Sequence, residues 1–243
     1  MTAELFGAAW GELVEELDWE RLGRTYCEGD GSTFFDEEKV EGVLETGLGL
    51  VDELVNALPP KGSGRSLYLG AAVAELPLIL AEKLVLGRAV LWLNLAGEEV
   101  EELTRALHVV GAKLGLDLPL PSTQPLSNYA DASCDHLWMA SVLTDPDVFP
   151  ALHDELYGRA GTPMGTGRGD LESERGRAEA LSRELLAKAA ETGVISTTDE
   201  ELTLLRKLAR EAGLDLRVPR DGIESAIVGD VVRFVRFRAT AAR

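Results

Sequence analysis

The spacing of apolar residues changes character near residue 65, and the change divides the chain into two regions. Before it, Leu5, Leu13, Leu17 and Leu22 stand among acids, and Val40, Val43, Leu44, Leu48, Val51, Leu54, Val55 and Leu58 recur at helical spacing. Helices are expected there, with an irregular break over CEGDGSTFF (27–35) and a turn-rich linker over ALPPKGSGR (57–65). After it comes RSLYLGAAVAELP (65–77): a short apolar run ending at Gly70, a turn through alanines, and the start of an amphipathic helix. This reads as a strand over 66–69 and a helix over 75–86.

Apolar runs and amphipathic stripes then alternate. Residues 88–95, RAVLWLNL, suit a strand buried on both faces. Val100, Leu103, Leu107, Val110 and Leu114 form a helical stripe that stops at Gly115. Residues 116–121 carry two prolines, which restricts them to an edge strand or a loop. CDHLWMASVL (134–143) is the next buried run, ending at Thr144-Asp145-Pro146, and a helix over 147–157 follows. GRAGTPMGTGRGD (158–170) holds five glycines, the composition of a functional or mobile loop rather than a bare connection. A charged helix over 171–191 and a strand over 193–197 lead into the best-marked helix: Thr198 and Glu201 fit a capping box, Leu202, Leu205, Leu208 and Ala212 form the stripe, and Gly213 closes it. The tail has strands with no helix between them, so they must pair antiparallel, with Gly229-Asp230 suited to a two-residue hairpin turn.

The expected fold is therefore α/β: a mostly parallel sheet flanked by helices, its last strands antiparallel. With 243 residues and 45% hydrophobic content, the chain suits one α/β domain over residues 61–243 and an acidic helical extension over residues 1–60. Charge sharpens that division. The net of -18 is concentrated in residues 1–60, where fifteen acids face only Arg21, Arg24 and Lys39. Such a surface disfavours a nucleic-acid partner and reads as the solvated face of a helical cap. Cys27 and Cys134 lie far apart with no metal-ligand spacing, and no stretch is long and apolar enough for a membrane span, which together suggest a reducing cytoplasm. RGD at 168–170 is a three-residue coincidence in this setting.

This order of elements resembles the class I S-adenosylmethionine (SAM)-dependent methyltransferases, over roughly residues 60–240. In that family an acid and three alternate glycines mark the first strand and its turn; the matching positions here hold Tyr68, Gly70, Ala72 and Ala74. The resemblance implies a SAM site above Gly70, Ala72 and Ala74. Asn94 falls where the family has a ribose-binding acid, with Glu98 or Glu99 close by; Asp131 falls at the adenine contact, and Ser141 at the end of the fourth strand of the family order. Asp145 and His153 are candidates for the acceptor side, with a small molecule as acceptor and no metal.

The departures from the family pattern have physical meanings. A left-handed Ala72 would cost about 1 kcal/mol, and its methyl narrows the space for a ligand. Glu75, in the first helical turn, would repel a pyrophosphate, which speaks against a nicotinamide-dependent oxidoreductase. Asp131 also fits a turn, Asp145 a helix cap, and His136, Trp92 and Trp138 the core. Two readings follow. One is a methyltransferase acting on a small molecule; the other is a non-catalytic scaffold of the same fold, working through self-association as a homodimer or through a protein partner. A cleft filled by Tyr68, the Ala72 methyl or Glu75 would rule out the enzyme.

Overall fold

The computed structural model describes residues 2–27, 33–58 and 64–240. Residues 28–32 of the expected break and 59–63 of the expected linker, including the boundary between residues 60 and 61, lie outside these. Three helices come first: α1 (Thr2–Glu16), α2 (Trp19–Tyr26) and α3 (Glu37–Ala57). Asp18 and Asp36 start the second and third, each side chain accepting a main-chain N–H three residues on. Strands and helices then alternate as β1 (Arg65–Leu69), α4 (Leu76–Leu84), β2 (Ala89–Leu93), α5 (Glu98–Leu114) and β3 (Cys134–Met139). They continue through α6 (Pro150–Leu156), α7 (Leu171–Ala187), β4 (Ala189–Thr198) and α8 (Asp199–Glu211) to the closing strands β5 (Leu214–Arg217), β6 (Ile223–Glu224) and β7 (Val231–Ala239).

The sheet runs β2-β1-β3-β4-β7-β5, with β6 paired to β7. β2, β1, β3 and β4 are mutually parallel, and β7 is antiparallel to β4, β5 and β6, so the expected α/β class holds. The chain steps from β1 outward to β2, then returns to the other side of β1 for β3. Connections leaving the carboxyl ends of β1 and β3 therefore diverge and open a crevice between them.

Of the two forms open to residues 116–121, edge strand or loop, the structure has the loop. A single parallel bridge between Leu93 and Ser122 is all that adds to the β2 edge, because Pro119 and Pro121 have no N–H to give. The turn expected at Gly229-Asp230 is longer: residues 225–230 join β6 to β7, closed by Ser225 N–H donating to the Asp230 carbonyl at 2.9 Å. That places the Asp230 side chain for another use.

Each face of the sheet has its own core. Tyr68, Trp92, Trp138 and Phe234 pack with Leu13, Leu22, Leu54 and Leu103, so the acidic N-terminal helices bury their apolar stripes on the same face as α4 and α5. Each such aliphatic side chain contributes roughly 1.5–3 kcal/mol by leaving water. α3 crosses α4 closely at Gly47, where a Cβ would come within 2.6 Å of Pro77 Cβ. Leu67, Leu137, Met139, Ile195 and Phe237 form the opposite face with Leu152, Leu185 and Leu205.

The first face also holds a fully buried polar cluster. Glu82 of α4 accepts from the Ser66 and Tyr68 hydroxyls and from Arg88 Nε at 2.7 Å. It also shares a 2.8 Å hydrogen bond with His136 Nδ1, whose Nε2 meets Ser196 Oγ at 3.0 Å. Tyr68 therefore points into the core below the turn, and His136 is committed there too.

On the other face the capping box is formed as expected, and Glu201 does more than cap. Its Oε1 accepts the Leu143 N–H at 2.8 Å and its Oε2 the Thr197 hydroxyl at 3.0 Å, which fastens the segment leaving β3. Burial raises this carboxyl to about 7, outweighing those hydrogen bonds. An acid whose folded pKa lies above its unfolded value near ~4.3 binds its proton longer in the native state, so its contribution falls as pH rises from ~4.3 to about 7. Urea unfolding of the Glu201→Gln variant should show a flatter stability profile than wild type across that window; parallel profiles would refute the assignment.

Candidate functional site

A cavity of about 480 Å³ opens at the carboxyl ends of β1 and β3. The turn after β1 supplies Gly70, Ala72, Ala74 and Glu75; Asn94 follows β2, and Ser141, Thr144 and Asp145 follow β3. His153, Tyr157 and Arg159 come from α6 and the loop after it, and Ile227, Val228 and Asp230 from the segment before β7. A second cavity of about 380 Å³ shares Gly70, Asn94, Ser141 and Asp145 with the first, and its other walls are largely apolar: Leu95, Pro125, Leu126, Val142, Val148 and Phe149. The result is one polar lobe and one apolar lobe meeting over Gly70 and Ser141.

The turn is built without strain at its alanines. Gly70 takes φ +70°, where glycine is favoured, and a Cβ there would come within 2.6 Å of Val142 Cγ2. Ala72, by contrast, is extended at φ −134°, so the expected left-handed cost does not arise. Its carbonyl neighbour is braced from β2: Trp92 Nε1 and Asn94 Nδ2 both donate to the Ala71 carbonyl, at 2.8 and 2.9 Å. The Asn94 oxygen accepts the Leu95 N–H at 2.8 Å, which leaves its second amide proton for a ligand. With Tyr68 turned into the core, Ala72 and Glu75 form a wall and leave the space above Gly70 open.

Two carboxylates face the polar lobe from beside this turn. Glu75 accepts the Ala72 N–H at 2.7 Å, and Glu99 accepts the Val73 N–H at 3.2 Å and the Tyr26 hydroxyl at 2.6 Å. Burial pushes Glu75 up to about 7 against the Ala72 hydrogen bond, with the Glu99 charge adding to the rise. Burial raises Glu99 as well, and burial and then Glu99 raise the Tyr26 hydroxyl. A cation entering the lobe would let both carboxylates ionise. Tyr26 and Thr25 belong to α2, so the N-terminal helices complete the wall.

The far wall is tied together by Asp230. Ser141 Oγ donates to it at 2.8 Å and the Tyr157 hydroxyl at 2.7 Å. Ser141 has φ +58°, a left-handed conformation costing on the order of 1 kcal/mol in a non-glycine residue, held at the junction of the two lobes. His153 Nδ1 lies 2.6 Å from the Thr144 carbonyl and must donate to it, which makes Nε2 the acceptor of the Arg159 Nη1 proton at 3.2 Å. The glycine-rich loop is pinned by Asp154, which accepts from the Thr166 N–H at 2.8 Å and the Gly167 N–H at 3.2 Å. Those hydrogen bonds, Thr166 first, hold its carboxyl below the ordinary range.

Of the residues singled out from sequence, Gly70, Ala72, Ala74, Asn94, Ser141, Asp145 and His153 meet on this lining. Asp131 stands apart. It precedes β3 at the amino edge of the sheet, the end opposite the cavity, and pairs with Lys188 Nζ at 2.6 Å. Tyr26, Tyr157, Arg159 and Asp230 line the cavity without having been singled out as site residues, because long-range packing alone brings them there. Only Asp230 carried a local signal, and as half of a turn dipeptide it pointed elsewhere. Among the described residues no His, Cys, Asp and Glu cluster suits a metal, and no helix is long and apolar enough to cross a membrane.

No protein-family model and no curated protein matches the chain. Among solved structures, the magnesium protoporphyrin IX methyltransferase from Synechocystis PCC 6803 with bound SAM is 16% identical, with TM-score 0.50 over 94% of this chain and 97% of that one. A SAM-dependent methyltransferase from Aquifex aeolicus is 13% identical, with TM-score 0.48 over 84% of this chain and 94% of that one. The first likeness places the chain in the class I SAM-dependent methyltransferase-like fold, consistent with the strand order and antiparallel end.

Proposed function

We propose that the protein binds SAM across the two lobes and transfers its methyl group to a small molecule. One observation carries this reading: the crevice above Gly70 is open, with an apolar lobe suited to a nucleoside beside an acid-lined lobe suited to a cation. The adenine fits among Leu95, Pro125, Leu126 and Phe149, and the free Asn94 amide proton reaches toward the ribose. The amino-acid end, with its ammonium and the sulfonium, faces Glu75 and Glu99. The cofactor supplies an already electrophilic methyl, so the chain's own task is to bind, orient and exclude water. A filled cleft would have ruled out the enzyme, and the crevice is open.

Calorimetry of the full chain with S-adenosylhomocysteine and SAM tests the proposal. Saturable one-to-one binding is expected; no heat at millimolar ligand would overturn it.

A further inference from the structure

Of the four described arginines less than 36% exposed, three meet a carboxylate and one does not. Arg21 pairs with Glu101 at 2.7 Å, Arg88 with Glu82 at 2.7 Å, and Arg233 with Asp199. Arg159 has no carboxylate partner among the described residues, although the chain carries 42 acids. Its guanidinium lies 5.0 Å from the Tyr157 ring centroid, donates to His153 Nε2, and forms part of the cavity wall. Its backbone is fixed on both sides: its N–H donates to the Asp154 carbonyl at 2.6 Å, and its carbonyl accepts the Thr162 N–H at 3.0 Å. A half-buried cation held in place without a counter-ion is a site for an anionic ligand.

We propose that Arg159 recognises the carboxylate of the methyl acceptor, a small carboxylic acid with an apolar body. The inference rests on the methyltransferase reading. Beside Arg159, His153 Nδ1 is committed to the Thr144 carbonyl, its Nε2 to Arg159, and the Tyr157 hydroxyl to Asp230, so neither His153 nor Tyr157 is free to take a proton from an acceptor. That suits an acceptor already ionised at neutral pH. Asp145, Asp147 and Asp230 line the same cavity and would repel a phosphate dianion more than a carboxylate. Ile227, Pro146 and Val228, the last 56% exposed, give the body of the molecule an apolar surface. On the cofactor side, Glu75 and Glu99 already occupy the N–H groups of Ala72 and Val73.

The test is calorimetry on the full chain saturated with S-adenosylhomocysteine, titrating octanoate and 3-phenylpropionate against octanamide and 3-phenylpropanamide. The acids should bind about tenfold more tightly than the amides, a preference that Arg159→Gln abolishes and Arg159→Lys keeps in part. S-adenosylhomocysteine affinity, unchanged within about threefold in both variants, reports that they are folded. Equal binding of acids and amides, no binding of either, or acid binding untouched by Arg159→Gln would overturn the inference while leaving the cofactor reading intact. So would an Arg159→Gln variant that loses S-adenosylhomocysteine but keeps methylthioadenosine, since Arg159 would then hold the cofactor's own carboxylate. Should S-adenosylhomocysteine not bind at all, the same acid and amide titrations on the chain alone still decide the role of Arg159.

Discussion

Glu82→Ala should destabilise the protein by roughly 3–5 kcal/mol, the penalty for removing one partner of a buried charged cluster. Glu82 is fully buried, and it gathers Ser66, Tyr68, Arg88 and His136 from β1, the β2 approach and β3. Alanine would leave two hydroxyls, an imidazole nitrogen and part of a guanidinium facing a cavity with no acceptor. Burial by itself would raise the Glu82 carboxyl, but His136, then Arg88 and the Ser66 hydroxyl, outweigh it and hold the group at about 2. A depressed carboxyl contributes stability that is complete above its unfolded value of ~4.3 and is lost as pH falls through the folded value. From ~4.3 down to about 2 that is roughly 3 kcal/mol, in line with the mutational figure. Thermal unfolding at pH 7 should show a drop on the order of 10 °C for Glu82→Ala, and Ser196→Ala, at the periphery of the cluster, should cost far less. A loss below ~1 kcal/mol for Glu82→Ala would mean that the cluster is not a structural unit.

Much of the architecture was legible because the spacing of apolar residues is dictated by the faces they bury. The runs at β1, β2 and β3 read as strands since both faces of a parallel strand are covered here by helices. The α8 start was legible from Thr198 and Glu201 because a capping box is local chemistry. What failed was non-local. The helix expected over 171–191 ends at Ala187, because Ala189 pairs with Cys134 and Thr192 with Arg238 in the sheet. The tail read correctly as antiparallel, yet its turn was placed too tightly, since the Asp230 side chain turns toward Ser141 and Tyr157 rather than serving a hairpin.

The same distinction governs the site. Residues on strand ends, such as Gly70, Asn94 and Ser141, were legible from the family resemblance, and the carboxyl edge of a parallel sheet explains where they stand. Asp131 was misplaced by sequence nearness to β3: three residues before a strand is the wrong end of it. Tyr26 gave no local sign, because its role depends on α2 packing against α5 to bring its hydroxyl onto Glu99. The acidic N-terminal stretch read as a solvated cap for its charge, while its apolar stripe carries it into the core and to the cavity wall.

Gly70→Ala should weaken S-adenosylhomocysteine binding by at least about tenfold while the protein stays folded. Two effects act together. The φ of +70° costs an alanine on the order of 1 kcal/mol, and the new methyl would overlap Val142 Cγ2 at 2.6 Å. Gly70 N–H is held by the Leu93 carbonyl at 2.8 Å, so the turn resists moving and Val142 must yield instead. Val142 lines the apolar lobe, and its displacement narrows the space assigned to the nucleoside. Methylthioadenosine, which has the nucleoside without the amino-acid end, should therefore lose as much affinity as S-adenosylhomocysteine. Ala72→Gly provides the contrast. Because Ala72 is already extended at φ −134°, restoring glycine there relieves no strain and should change affinity by less than about threefold. If Gly70→Ala binds both ligands as wild type does, the crevice above β1 is not where the nucleoside sits. If Ala72→Gly improves binding tenfold or more, the alanine turn is an impaired version of the glycine-rich one rather than a working alternative to it.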